Sequence, residues 1–187
     1  MKFSFWNFVS GIYDWTFARS LNKDIPTILE LGDFKPTDAV LDFGGGTGRV
    51  AEAIRGRVAS VVVADRAEKM LNEALAKGLK TEVVSALPTR FSDDSFDTIL
   101  VIEAFHHLPH HEEHLKEFHR LLKPGGMLFL EEPDTNSLIR YWLWTEKLFD
   151  TVRHHKTDEW RVFLPQFGFR VETERSEGYA HFVCARK

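Results

Sequence analysis

The run Val40-Leu41-Asp42-Phe43-Gly44-Gly45-Gly46-Thr47-Gly48-Arg49-Val50 constrains the fold more than any other part of the chain. It reads as a buried strand that enters a glycine-rich turn and opens a helix. Where side chains are missing, something must come close. Glycines permit the tight turn and let a ligand reach backbone N–H groups at a helix N-terminus, where the dipole favours negative charge. From Ala39 onward, short β-rich runs alternate with helical stretches, the pattern of a parallel sheet covered on both faces. The spacing predicts strands at Ala39–Phe43, Ser60–Ala64, Glu82–Val84, Asp97–Ile102, Met127–Glu131, Arg170–Glu174 and His181–Ala185. Helices are predicted to begin near Gly48, Ala67, Pro109 and Thr157, and Lys123-Pro124-Gly125-Gly126 reads as a break. The strandless stretch from Asp134 to Phe169 has room for two helices, one carrying Tyr141, Trp142 and Trp144.

Composition narrows the class. A chain of 187 residues, 43% hydrophobic and 28% charged, with neither repeat nor low-complexity tract, suits one globular domain. Its net charge of -4 supplies no global positive field and argues against a nucleic-acid binder. The single cysteine, Cys184, rules out an intramolecular disulfide, a cysteine metal cluster and a Cys-x-x-Cys redox pair, which fits a reducing cytoplasm. The apolar start of the chain is interrupted by Ser4, Asn7 and Ser10 and stopped by Asp14 and Arg19, so it reads as neither signal peptide nor membrane span. Phe5, Phe8, Ile12 and Trp15 recur at helical spacing and predict an amphipathic helix packed over the body.

Two acids decide what the glycine turn holds. A dinucleotide motif fits Gly46-Thr47-Gly48-Arg49-Val50-Ala51, with Asp65 downstream for a ribose. Asp42 argues against it, because a carboxylate just before the glycines repels a pyrophosphate and suits a cationic ammonium or sulfonium. Asp65 ends the second strand, where an acceptor-only carboxylate can take both ribose hydroxyls. The pocket therefore asks for an amino acid at one end and a nucleoside at the other. His110 and His114 share a helix face at metal-ligand spacing, but Glu112, Glu113, Lys116 and Glu117 between and beside them make a solvated face the better reading, and no metal is assigned. His154-His155-Lys156 is read in the same way, with Thr157 as a helix N-cap.

Together with Asp94-Ser95-Phe96-Asp97-Thr98-Ile99, Leu121-Leu122-Lys123-Pro124-Gly125-Gly126-Met127-Leu128 and Phe167-Gly168-Phe169, these segments resemble the class I S-adenosylmethionine-dependent methyltransferases. The likeness is strongest to the small-molecule branch that includes quinone-ring and lipid-amine enzymes. The resemblance implies an α/β fold: a single Rossmann-like doubly wound domain over residues 1–187, with helices on both faces of a seven-stranded, mostly parallel sheet whose last strand is antiparallel. Residues 1–35 would form a helical lid and residues 134–169 a helical insertion after the fifth strand.

By position, the resemblance assigns Asp42, Gly44, Gly45 and Gly46 to the methionine portion of S-adenosylmethionine, Asp65 to the ribose and Arg66 to the edge of the adenine. Tyr13 belongs to a Tyr-Asp lid element, and Glu103 sits near the cofactor's amino-acid end. Ser85-Ala86 falls where many relatives carry Asp-Ala. Ser85 departs from that pattern and offers only an uncharged, weaker hydrogen bond to the adenine, with Thr81, Glu82 or a water to substitute. His106 has the right pKa class for a general base facing the methyl group, while His107 is expected to pack beneath the loop.

The implied activity is methyl transfer to O, N or C of a small apolar or aromatic acceptor. The aromatic 138–149 helix either holds that acceptor or, as the favoured reading, packs its apolar face on the N-terminal helix or another subunit. The alternatives are a catalytically silent S-adenosylmethionine sensor and a protein methyltransferase. Nucleic acid is not expected, since Glu103-Ala104-Phe105 replaces the Asn/Asp-Pro-Pro signature of amino-methylating DNA enzymes. The apolar N-terminal and 138–149 segments could instead join two copies of the chain.

Overall fold

Strand β1 (Ala39–Phe43) is buried from Val40 onward because it has parallel neighbours on both sides, which leaves its two faces to be covered by helices. The computed structural model describes residues 23–135 and 152–187. The remaining strands are β2 (Ser60–Asp65), β3 (Lys80–Val83), β4 (Phe96–Ile102), β5 (Leu122–Pro133), β6 (Arg170–Glu177) and β7 (Ala180–Arg186). They form one seven-stranded sheet in the order β3-β2-β1-β4-β5-β7-β6, in which β7 alone runs against its neighbours. All seven expected strands are present, and the expected antiparallel last strand is among them.

Alternation along each strand divides the interior into two layers. Leu41, Ile99 and Leu128 point to one face, where Leu115 and Phe118 of α4 (His111–Leu121) and Trp160 of α5 (Trp160–Phe163) cover them. Val40, Leu100 and Phe129 point to the other, beneath Ile28 of α1 (Ile25–Leu31), Val50 and Ile54 of α2 (Arg49–Ile54), and Leu71 of α3 (Glu68–Ala76). The strand order turns back at β1, which lies between β2 and β4. A crevice therefore opens at the carboxyl ends of those strands, where a ligand can be received.

Several sequence expectations are corrected. The Lys123-Pro124-Gly125-Gly126 break lies within β5, as an irregularity between the pairs Phe96↔Leu122 and Thr98↔Met127. The C-terminal residue stitches this bulge to the sheet, because Lys187 N–H donates to Gly126 O and accepts Gly125 N–H through its own carbonyl. Thr157 is not an N-cap. Its hydroxyl donates to Asp134 Oδ1 at 2.9 Å, while Glu159 accepts the N–H of Lys156. Within 152–169 the chain makes two 3₁₀ turns and the single helical turn α5. Tyr13, the N-terminal amphipathic run and the aromatic run 138–149 lie outside the described residues, as does the dimer contact assigned to those runs.

Candidate active site

Asp42 stands near the end of β1 on the face covered by α2. Its side chain is 1% exposed, Oδ2 accepts the Ala51 N–H at 3.3 Å, and Oδ1 has no hydrogen-bond partner among the described residues. Burial pushes its carboxyl up from 3.8 to about 7, against the lowering effects of the Ala51 N–H and Arg49. A carboxylate kept this dry, with one oxygen unsatisfied, is a strong acceptor waiting for a donor. The loop is shaped around it: a Cβ on Gly45 would lie 2.5 Å from Asp42 Cγ. Gly44 adopts φ +75° with Ala104 packed closely over it, a conformation and a clearance that only glycine meets without strain.

Asp65, at the end of β2, folds back on the same loop. Its Oδ2 accepts the Gly46 N–H at 3.0 Å and its Oδ1 the Ala67 N–H at 2.8 Å. Asp42 and Asp65 thus both border one cavity of about 400 Å³, whose wall also includes Gly44, Gly45, Gly46, Arg66, Ser85, Ala86 and Glu103. Every cofactor-binding residue expected from the sequence, Tyr13 excepted, meets in this hollow. Four acids, Asp42, Asp65, Glu103 and Glu113, face two arginines, Arg49 and Arg66, so the wall carries an acidic excess suited to a cationic ligand. Glu103 is held at φ +49° by its N–H bond to Glu131 O at 2.8 Å, a conformation that costs a non-glycine residue about 1–3 kcal/mol and tends to mark functional sites.

The histidines after β4 exchange the positions expected of them. His107 lines the cavity, whereas His106 is 3% exposed and turns away to hydrogen-bond Glu132 Oε2 through Nδ1 at 2.9 Å. The physical reason is the 3₁₀ turn Phe105–His107, in which consecutive side chains diverge by about a third of a turn, so only one imidazole can face the hollow. The solvated reading holds for His110, which is exposed, and fails for His114. His114 is 7% exposed, packs edge-on against Phe43 at 5.7 Å and lines the cavity with His110. His155 is likewise buried, hydrogen-bonded through Nε2 to His111 Nδ1 at 2.8 Å. Burial, aided by the neighbouring His155 and Arg153, drives His111 down to about 4.

Other site residues escaped the sequence reading. Arg49 lines the cavity and pairs through both guanidinium nitrogens with Asp24, at 2.6 and 2.7 Å. Glu131, 1% exposed, sits near both. Burial pushes its carboxyl well above the usual range, and the like charges of Asp24 and Glu103 push the same way. The signal was available for Glu131 and Glu132, because two adjacent carboxylates ending an otherwise apolar strand are costly unless used. Nothing in the sequence pointed to Asp24, which is 18 residues from Asp42 along the chain.

Residues 15–174 match a family described as a methyltransferase domain. The chain is 30% identical over 115 residues to a ubiquinone/menaquinone biosynthesis C-methyltransferase of Hydrogenovibrio crunogenus, covering 56% of this chain and 45% of that one. It is 32% identical over 168 residues to a 24-methylenesterol C-methyltransferase of Arabidopsis thaliana, covering 77% of this chain and 44% of the relative. It therefore spans less than half the length of these curated relatives. A solved S-adenosylmethionine-dependent methyltransferase of Thermotoga maritima superposes with a TM-score of 0.82 at 22% identity, covering 97% of each chain, and shares the fold.

Proposed function

The chain belongs to the methyltransferase domain family, and from that premise we propose that it transfers a methyl group from S-adenosylmethionine to a small, apolar or aromatic acceptor. The carrying observation is Asp42: a dry carboxylate with an unsatisfied oxygen, at the foot of a glycine turn that lines the cavity. These residues fit the cofactor. Asp42 and the backbone from Gly44 to Gly46 receive its ammonium-bearing end, Asp65 its ribose, and Arg66, Ser85 and Ala86 border its base. When bound, S-adenosylmethionine supplies a methyl carbon activated by a sulfonium.

The chain's own contribution is orientation and exclusion of water. The acidic excess of the wall favours the cation. His107, which faces the cavity, takes the acceptor's proton where the acceptor is a phenol or an acidic ring carbon. Relatives named for quinone and sterol C-methylation support an apolar acceptor.

Isothermal titration tests the cofactor: S-adenosylmethionine and S-adenosylhomocysteine should bind and NAD should not. Binding of NAD alone would overturn the reading. Release of S-adenosylhomocysteine across a panel of phenols, quinols and sterols then identifies the acceptor class.

A further inference from the structure

Behind the wall formed by His107 lies a second polar centre that methyl transfer leaves unused. Its three members come from distant parts of the chain: His106 on the turn after β4, Glu132 near the end of β5, and His154. Glu132 Oε1 accepts the Phe105 N–H at 3.0 Å, which fixes its carboxyl group, and Oε2 hydrogen-bonds His106 Nδ1 at 2.9 Å. The ring of His154 stacks on that of His106, with centroids 4.8 Å apart and planes 23° apart. One potential ligand atom from each of the three residues lies within 4.8 Å of the others.

The chemistry of this group is unusual for an interior. Glu132 is 5% exposed, and burial pushes its carboxyl up to about 8, with only His154 and the N–H groups of Phe105 and His106 acting to lower it. A carboxyl in so dry a place is stabilised in its ionised form by a cation. Imidazole nitrogens and one carboxylate oxygen are the donors that zinc and neighbouring divalent metals prefer, whereas calcium and magnesium ask for oxygen. Three protein donors also leave a fourth position open.

We propose that His106, Glu132 and His154 form a binding site for a first-row divalent transition-metal ion, with zinc the best match. Tetrahedral ligands at 2.0–2.1 Å from a metal stand about 3.4 Å apart. Binding therefore opens the His106–Glu132 contact slightly and draws His154 inward. The Phe105 N–H becomes an outer partner that orients the ligating carboxylate. Any protons on the three donors leave as the metal enters. The ion ties the turn after β4 to the end of β5 and to His154. Because that turn also carries His107 into the cavity wall, the site braces the acceptor side of the cavity.

The full chain, stripped with a chelator, is titrated with Co²⁺ while visible absorption is followed, and then with Zn²⁺ in competition. One equivalent of Co²⁺ with a tetrahedral spectrum, displaced by Zn²⁺, is expected. Glu132→Gln and His154→Ala should each weaken uptake at least about tenfold, while His119→Gln, remote from the cluster, should bind as the unaltered chain does. Zn²⁺ should also raise the melting temperature of the unaltered chain more than that of His154→Ala. Absence of a tetrahedral spectrum, or equal binding by His154→Ala, overturns the proposal. If Glu132→Gln does not fold, the half-buried His154 decides the matter. The readout is metal uptake and not turnover, so its failure is separate from failure of the cofactor assignment.

Discussion

Replacing Gly45 by Ala probes the contact on which the cofactor reading depends. The added Cβ would lie 2.5 Å from Asp42 Cγ, 2.6 Å from Oδ2 and 2.8 Å from Oδ1, all well inside an ordinary contact. Gly45 does not have a positive φ, so the backbone accepts alanine and the penalty comes from the carboxylate alone. Asp42 is 1% exposed, and the added Cβ pushes its carboxyl off the position in which Oδ2 accepts the Ala51 N–H. Overpacking of this kind costs about 1–3 kcal/mol.

The same displacement turns the charged acceptor away from the ligand, worth a further loss of about 1.5–3 kcal/mol in binding, roughly tenfold to a hundredfold in affinity. Urea unfolding and calorimetric titration of S-adenosylmethionine, performed in the original and in an Asp42→Ala background, separate the two terms. In the Asp42→Ala background the Cβ finds space, and the stability cost should fall below about 0.5 kcal/mol. Gly56→Ala, where the new Cβ meets nothing within 4 Å, is the control. An equal cost in both backgrounds would refute the argument, since the clash would then not involve Asp42.

Asp65→Ala should weaken S-adenosylmethionine binding by roughly 1–3 kcal/mol, and calorimetry showing unchanged affinity would remove its ribose role. Arg49→Met leaves the buried Asp24 unpaired beside Glu131 and should cost about 3–5 kcal/mol in urea unfolding, with part restored by adding Asp24→Asn. Asp42 also sets a pH dependence. Its folded pKa of about 7 lies above its ordinary 3.8, so the stability it contributes is full below pH 3.8 and lost as pH rises through about 7. That interval corresponds to about 4 kcal/mol. The stability of the unaltered chain relative to Asp42→Asn should fall across it and level off above, and a flat difference would contradict the burial argument. His107→Gln should lower turnover far more than cofactor affinity, and equal turnover would leave His107 a positioning role only.

The glycine turn, its two flanking acids and the alternation of strands and helices were legible in the sequence because each is a local pattern. Neighbouring residues on one strand or turn are bound together by the chain itself, so period and spacing carry their geometry. That was enough to place seven strands and to assign Asp42 and Asp65 to one ligand. The histidines were not legible in this way. Which of His106 and His107 faces the cavity depends on the sense of one 3₁₀ turn, and His114 is buried where its helix packs it against Phe43 and Phe118.

The Arg49–Asp24 pair and the His106–Glu132–His154 cluster join residues 22 to 48 positions apart, with charges that read individually as surface. Their meaning depends on desolvation, which is a property of the packed interior and not of any short stretch of chain. The sequence by itself thus determined the architecture and the kind of ligand its glycine turn invites. Only the tertiary structure decided which polar groups lost their water, and with it which imidazole faces the ligand and which carboxyls are left in need of a cation.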